Sequence, residues 1–133
     1  MTGQSSMQGG NRILLVEDEV LIALDVQDVL EDAGYIVAGH AANLDRAVAL
    51  ASSEAIDAAV LDVNLAGVEV WPAAEILRRR GIPFLLVTGL WAGAEVPVFC
   101  ARAPRLTKPF QTAALLDTLA RLVTSAKMPA DRR

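Results

Sequence analysis

Short apolar runs that stop abruptly at polar residues restrict the fold of this chain more than any other feature. Ile13-Leu14-Leu15-Val16 ends at Glu17-Asp18, Ala58-Ala59-Val60-Leu61 at Asp62, and the run from Pro83 to Val87 at Thr88-Gly89. Tyr35-Ile36-Val37-Ala38 is a further run, and Arg105-Leu106-Thr107 a shorter one that leads into Lys108. A run of this kind has no polar face to give to water. It suits a strand covered on both sides, as in a parallel sheet. Between the runs the period changes. Ile22, Val26, Val29, Leu30 and Ala33 form one helical stripe that Gly34 is placed to end. Asn43 is placed to cap a helix carrying Leu44, Ala47, Val48 and Ala51. Pro72 suits the first turn of another helix, Gly81 its exit, and Leu115, Leu119, Leu122 and Val123 mark a last one.

Strands alternating with helices predict an α/β fold, a five-stranded doubly wound parallel sheet with helices on both faces. Its expected strand order is the flavodoxin-like 2-1-3-4-5. One such domain over 12–124 accounts for the chain, with a disordered leader over 1–11 and a flexible tail over 125–133. A hydrophobic fraction of 53% excludes a disordered chain, and a single cysteine, Cys100, excludes an internal disulfide. No apolar run approaches the roughly 18 residues that span a bilayer, and the polar N-terminus lacks the regions of a signal peptide. A cytoplasmic domain without membrane insertion is therefore expected. Between Glu17 and Asp32 lie seven acids and no base, and the net charge is −4, so direct DNA binding is not expected. Asp25, Asp28, Glu31 and Asp32 read as a solvated helix face.

In a doubly wound sheet the ligand crevice lies outside the carboxyl ends of the strands. There the pattern gathers Glu17-Asp18, Asp62, Thr88 and Lys108. Three carboxylates in one crevice repel one another unless a cation sits among them. Mg²⁺ suits such a site, since it takes oxygen ligands and commonly joins one or two carboxylates to a phosphate. A lysine ammonium and a threonine hydroxyl opposite them suit the phosphoryl group itself.

The set Glu17-Asp18, Asp62, Thr88 and Lys108-Pro109-Phe110, on successive strand ends, resembles the receiver domain of two-component response regulators, over roughly Arg12 to Val123. The resemblance implies that Asp62 is the phosphoacceptor. It implies Mg²⁺ ligation by Glu17, Asp18, Asp62 and the backbone carbonyl of Asn64. Thr88 and Lys108 are then partners of the phosphoryl oxygens, Gly89 leaves its backbone open to one of them, and the Lys108-Pro109 bond is cis. A narrower similarity exists to the Pro-Phe-x-x-x-Thr-Gly segment of the branch nicknamed FATGUY, here Pro83 to Gly89, together with Asp62-Val63-Asn64-Leu65. That branch implies HWE or HisKA2-type sensor histidine kinases as donors, and a stand-alone receiver. One helix and a tail are all that follow Phe110, too little for a DNA reader. Output is therefore expected by contact with a downstream protein, or through a relay with a phosphotransfer protein. The domain is not expected to be an enzyme beyond its own phosphoryl transfer and autodephosphorylation.

Receivers typically carry Tyr or Phe three residues before the lysine, and here that position is Arg105. The stretch from Leu90 to Ala103 is too interrupted for a regular helix, and a mobile loop is expected there. Leu90 lies where attacking water would approach, and Trp91 is a packing residue or part of a partner interface. Trp71 is expected to cover the sheet edge or helix start, His40 to be structural, and Ser52-Ser53 to be ordinary helix or loop. Arg78 to Arg80 are expected to answer the helix dipole. Three other classes fit the pattern less well. A haloacid-dehalogenase-like phosphatase needs a second acid where Asn64 stands. A flavodoxin-like FMN binder would have its phosphate repelled by Glu17-Asp18-Glu19. A pseudo-receiver, binding partners without phosphorylation, is opposed by the intact acidic set and Lys108.

Overall fold

The computed structural model describes residues 10–89 and 96–126. In chain order the strands are β1 (Arg12–Val16), β2 (Ile36–Ala41), β3 (Ala58–Asp62), β4 (Asn64–Leu65), β5 (Val68–Glu69), β6 (Phe84–Thr88) and β7 (Arg105–Thr107). The helices are α1 (Val20–Asp32), α2 (Leu44–Ser53), α3 (Trp71–Arg79) and α4 (Thr112–Ala126), with a short 3₁₀ turn at Val98–Cys100. Five strands form one parallel sheet in the order β2-β1-β3-β6-β7. Since β4 and β5 pair only with each other, this is the expected 2-1-3-4-5 arrangement.

Alternate residues of each strand feed two separate cores. Leu14, Val16, Ala59, Leu61 and Leu86 pack toward α2 and α3, against Leu50, Ala74 and Leu77. Ile13, Leu15, Val60, Leu85 and Val87 pack toward α1 and α4, against Leu30, Leu115 and Leu119. Burial on both faces is why these strands carry no alternating polar residues. The expected caps hold: Asn43 Oδ1 accepts from Arg46 N at 2.9 Å. Gly34 and Gly81 follow α1 and α3 with φ of 95° and 74°, a backbone state that glycine takes without steric cost.

Two strand features differ from the sequence reading, and α4 runs to Ala126, through the first two residues of the tail expected over 125–133. β2 runs to Ala41 rather than stopping at Ala38, because the β1–β2 register shifts between Ile13 and Leu14. Val37 and Gly39 pair with consecutive β1 residues, so Ala38 is the extra residue of a bulge and His40 and Ala41 continue the strand. The β4–β5 hairpin was not expected. Its two-residue turn, Ala66-Gly67, takes positive φ at both positions (54° and 95°), a geometry whose usual sequence sign is Asn-Gly or Asp-Gly.

Trp71 is the first residue of α3 and is partly buried against the core, as expected for a residue covering the helix start. Ser52 and Ser53 lie in the last turn of α2 and donate to the carbonyls of Val48 and Ala49. Arg78 and Arg79 do lie in the last turn of α3, but both guanidinium groups engage the Glu75 carboxylate. That carboxyl is held at about 2, chiefly by the Arg78 hydrogen bond. Readings that concern Leu90, Trp91, the leader over 1–9 and the tail over 127–133 lie outside the described residues. No described helix is long and apolar enough to cross a membrane.

Candidate functional site

Parallel pairing sets the carboxyl ends of β1, β3, β6 and β7 side by side, and each strand presents its polar residue as the apolar run ends. Glu17 and Asp18 follow β1, Asp62 ends β3, Thr88 ends β6 and Lys108 follows β7. The structure brings the acids and the lysine together. Lys108 Nζ lies 3.1 Å from Asp62 Oδ2, 3.2 Å from Glu17 and 3.7 Å from Glu19 Oε1. Glu17, Asp18 and Asp62 each present a carboxylate oxygen within 4.8 Å of the others. Glu17 and Asp62 are both 4% exposed, whereas Asp18 is half-buried.

Backbone hydrogen bonds hold this arrangement. Lys108 N donates to the Thr88 carbonyl at 2.8 Å and Val63 N to the Val87 carbonyl at 3.0 Å, fixing the strand ends relative to one another. The Lys108-Pro109 peptide is cis, as expected. Asn64 N donates to Asp62 Oδ1 at 3.3 Å, and Glu19 N to Glu17 Oε2 at 3.0 Å. Thr88 is half-buried and Gly89 exposed at the rim. The Asn64 side chain is turned to its own hairpin, accepting from Gly67 N at 2.6 Å.

The electrostatics show a site short of positive charge. Burial, then the Glu17 charge, lifts the Asp62 carboxyl to about 7, against the pull of Lys108 and the Asn64 amide. For Lys108, burial works to lower the ammonium, but the hydrogen bond and charge of Asp62, with those of Glu17, outweigh it and the net shift is upward. One ammonium thus faces three acids, counting Glu19. Every offered ligand atom is a carboxylate oxygen, the donor type that Mg²⁺ takes, so the residues fit that ion.

Glu19 and Lys108 also line a groove of about 670 Å³ between α1 and the start of α4, with Ile22, Val26, Pro109 and Phe110 among its apolar lining. Beside it α1 exposes Val20, Leu21 and Leu24 to 61%, 81% and 53%. Sequence reasoning missed two neighbours of the site. Glu19 reaches Lys108, and His40 Nε2 donates to the Glu17 carbonyl at 2.9 Å. The structural role expected for His40 is therefore found, but at the site itself.

The model of the response regulator receiver domain matches residues 13–120. The chain belongs to this family. The receiver is 34% identical over 80 residues to the transcriptional regulatory protein PdtaR of Mycobacterium tuberculosis, covering 58% of this chain and 38% of that protein. It thus spans well under half the length of that curated relative. SdrG from Sphingomonas melonis Fr1 is 38% identical with a TM-score of 0.73, over 85% of this chain and 96% of that one. The response regulator PhyR from Brucella abortus is 28% identical with a TM-score of 0.75, over 94% of the receiver and 52% of that chain. The parallel sheet, its order and the acidic pocket are therefore those of a signalling domain of two-component systems.

Proposed function

We propose that this receiver accepts a phosphoryl group on Asp62 in a Mg²⁺-dependent reaction. The donor is a sensor histidine kinase or a phosphotransfer protein. The signal leaves by protein–protein contact, or the domain serves as a shuttle or sink in a relay. The observation that carries the reading is the 3.1 Å approach of Lys108 to Asp62 inside a pocket where three carboxylate oxygens lie within 4.8 Å.

Glu17, Asp18 and Asp62 are the side chains that would hold Mg²⁺, with the backbone carbonyl of Asn64 as the further protein ligand. When bound, the ion supplies positive charge that favours ionised carboxylates and offsets charge on the phosphoryl oxygens. An Asp62 carboxylate oxygen then forms the P–O bond while the P–N bond to the donor imidazole breaks, the nitrogen keeping the electron pair. Lys108 transfers its hydrogen bond from Asp62 to a phosphoryl oxygen, so its charge follows the developing charge. The Thr88 hydroxyl and the backbone at Gly89 serve the remaining oxygens. Hydrolysis reverses the modification when water attacks phosphorus and the Asp62 carboxylate leaves.

The exposed Val20, Leu21 and Leu24 beside the pocket support docking of the phosphodonor along α1, since apolar residues so exposed mark contact surfaces. The Pro83 to Gly89 segment supports the FATGUY branch and, with it, an HWE or HisKA2-type kinase. The net charge of −4 supports output by protein contact rather than by direct DNA binding.

Incubation with Mg²⁺ and acetyl phosphate, followed by intact mass, tests the reading. Wild type gains one phosphoryl group and Asp62→Asn gains none. An unlabelled wild type would overturn it in favour of an interaction module that works without phosphorylation. Repeated turnover of phosphate esters would overturn it in favour of a phosphatase.

A further inference from the structure

Glu17, the first acid after β1, is held by the neighbouring strand at both its backbone groups. Glu17 N donates to the Ala41 carbonyl at 2.9 Å, which continues the β1–β2 ladder by one residue. The Glu17 carbonyl has left the ladder and accepts instead from the His40 side chain at 2.9 Å. The Glu17 carboxylate is fixed separately, by the Glu19 amide and by Lys108. Every polar group of Glu17 is thereby engaged. Asp18 differs, for its side chain takes no hydrogen bond from a described residue and is half-buried beside Glu17 and Asp62.

A peptide unit is planar, so the Glu17 carbonyl and the Asp18 amide move as one body. A hydrogen bond to that carbonyl fixes the plane from which the Asp18 side chain departs. Glu17 N, the nearest other anchor to the sheet, belongs to the preceding peptide unit and by itself leaves this plane free to turn about the Glu17 backbone. Resting on the metal-site reading above, we infer that His40 is a positioning residue. It aims Asp18 into the pocket by clamping the Glu17–Asp18 peptide, and so sets Mg²⁺ affinity without touching the ion. The bulge at Ala38 makes this possible, because it carries β2 on to His40 and Ala41 opposite the end of β1.

Outer-shell partners that orient metal ligands are commonly worth about 10–100-fold in affinity. Calorimetric titration of the full chain with MgCl₂ tests the inference, using wild type, His40→Ala and His40→Gln, each with its urea midpoint measured in EDTA. His40→Ala is expected to weaken Mg²⁺ binding about tenfold or more. His40→Gln, which keeps an N–H donor at the end of a comparable side chain, is expected to recover most of the loss. In metal-free wild type at pH 8, ¹⁵N NMR is expected to find the imidazole proton on Nε2. The Asp18 amide resonance is expected to move in His40→Ala and far less in His40→Gln. Affinity within twofold of wild type in a folded His40→Ala overturns the inference and leaves the metal site intact. So does a proton on Nδ1. A weakened His40→Ala that glutamine fails to rescue overturns it as well, since the hydrogen bond is then not the cause. If His40→Ala does not fold, His40→Gln and the tautomer decide. A wild type that takes no Mg²⁺ overturns the metal-site reading and this inference with it.

Discussion

Removing the charge of Asp62 is expected to stabilise the metal-free protein, and only above mildly acidic pH. The Asp62 carboxyl stands at about 7 in the fold against 3.8 for an ordinary aspartate, chiefly through burial and the nearby Glu17 charge. Because the folded value lies above the unfolded one, the native state binds more protons than the unfolded chain between those limits. Stability therefore falls as pH rises across that window, and below about pH 4 the group contributes nothing, being protonated in both states. At 1.36 kcal/mol per pH unit the whole effect is about 4 kcal/mol, with rather more than half of it arising between pH 5 and pH 8. That is a large part of the roughly 5–15 kcal/mol that holds a domain together. Urea unfolding in EDTA from pH 5 to pH 8, for wild type and Asp62→Asn, isolates the contribution of the pocket, since carboxylates away from it titrate alike in both. The wild-type curve is expected to fall away from the Asn curve by about 2–3 kcal/mol over that range. Mg²⁺ at tenfold its pH 8 Kd is expected to return about 1.4 kcal/mol to the wild type at pH 8, and less at pH 5. Parallel curves for the two proteins would refute the claim that ionising Asp62 opposes the fold.

Lys108→Met leaves the buried Glu17 and Asp62 without their ammonium. It is expected to cost about 3 kcal/mol at pH 8 in urea melts, less at pH 5, and to slow acetyl phosphate labelling about 100-fold or more. An unchanged labelling rate would remove Lys108 from the chemistry. Cys100 is 1% exposed, and burial, with the Glu75 charge, pushes its thiol to about 11. Ellman's reagent at pH 8 is expected to modify it about two orders of magnitude more slowly than a free cysteine, with rapid labelling only after denaturation. Asn43→Ala removes the cap of α2 and is expected to cost about 1 kcal/mol, read as a drop of about 4 °C in Tm.

The sheet was legible because burial on both faces leaves a strand no choice of residue, so Ile13 to Val16 and Phe84 to Val87 declare themselves by composition. The site was legible for a related reason. A polar residue at the carboxyl end of such a strand stands where the topology opens a crevice, and Asp62 and Lys108, 46 residues apart, meet there. What stayed hidden depends on tertiary register. Ala38 looks like any other strand residue, and only pairing with β1 shows it to be a bulge. Ala66-Gly67 forms a turn that Asn-Gly would have announced, and it gains the missing polar contact from Asn64 two residues earlier.

The same distinction bears on how the site is built. The groups proposed for phosphorus chemistry sit on strand ends, where the sheet fixes them and the sequence announces them. Their aim is set by groups no strand pattern marks: the Glu19 amide on Glu17, the Asn64 amide on Asp62, and His40 on the Glu17 carbonyl. Each acts through a single hydrogen bond of 2.9–3.3 Å on an acid or its peptide. Two of the three are backbone donors, which any residue but proline supplies, so their positions carry little sequence sign. His40 alone does its work through a side chain. Of these three it is therefore the positioning contact that an alanine substitution deletes while every carboxylate and Lys108 stay in place.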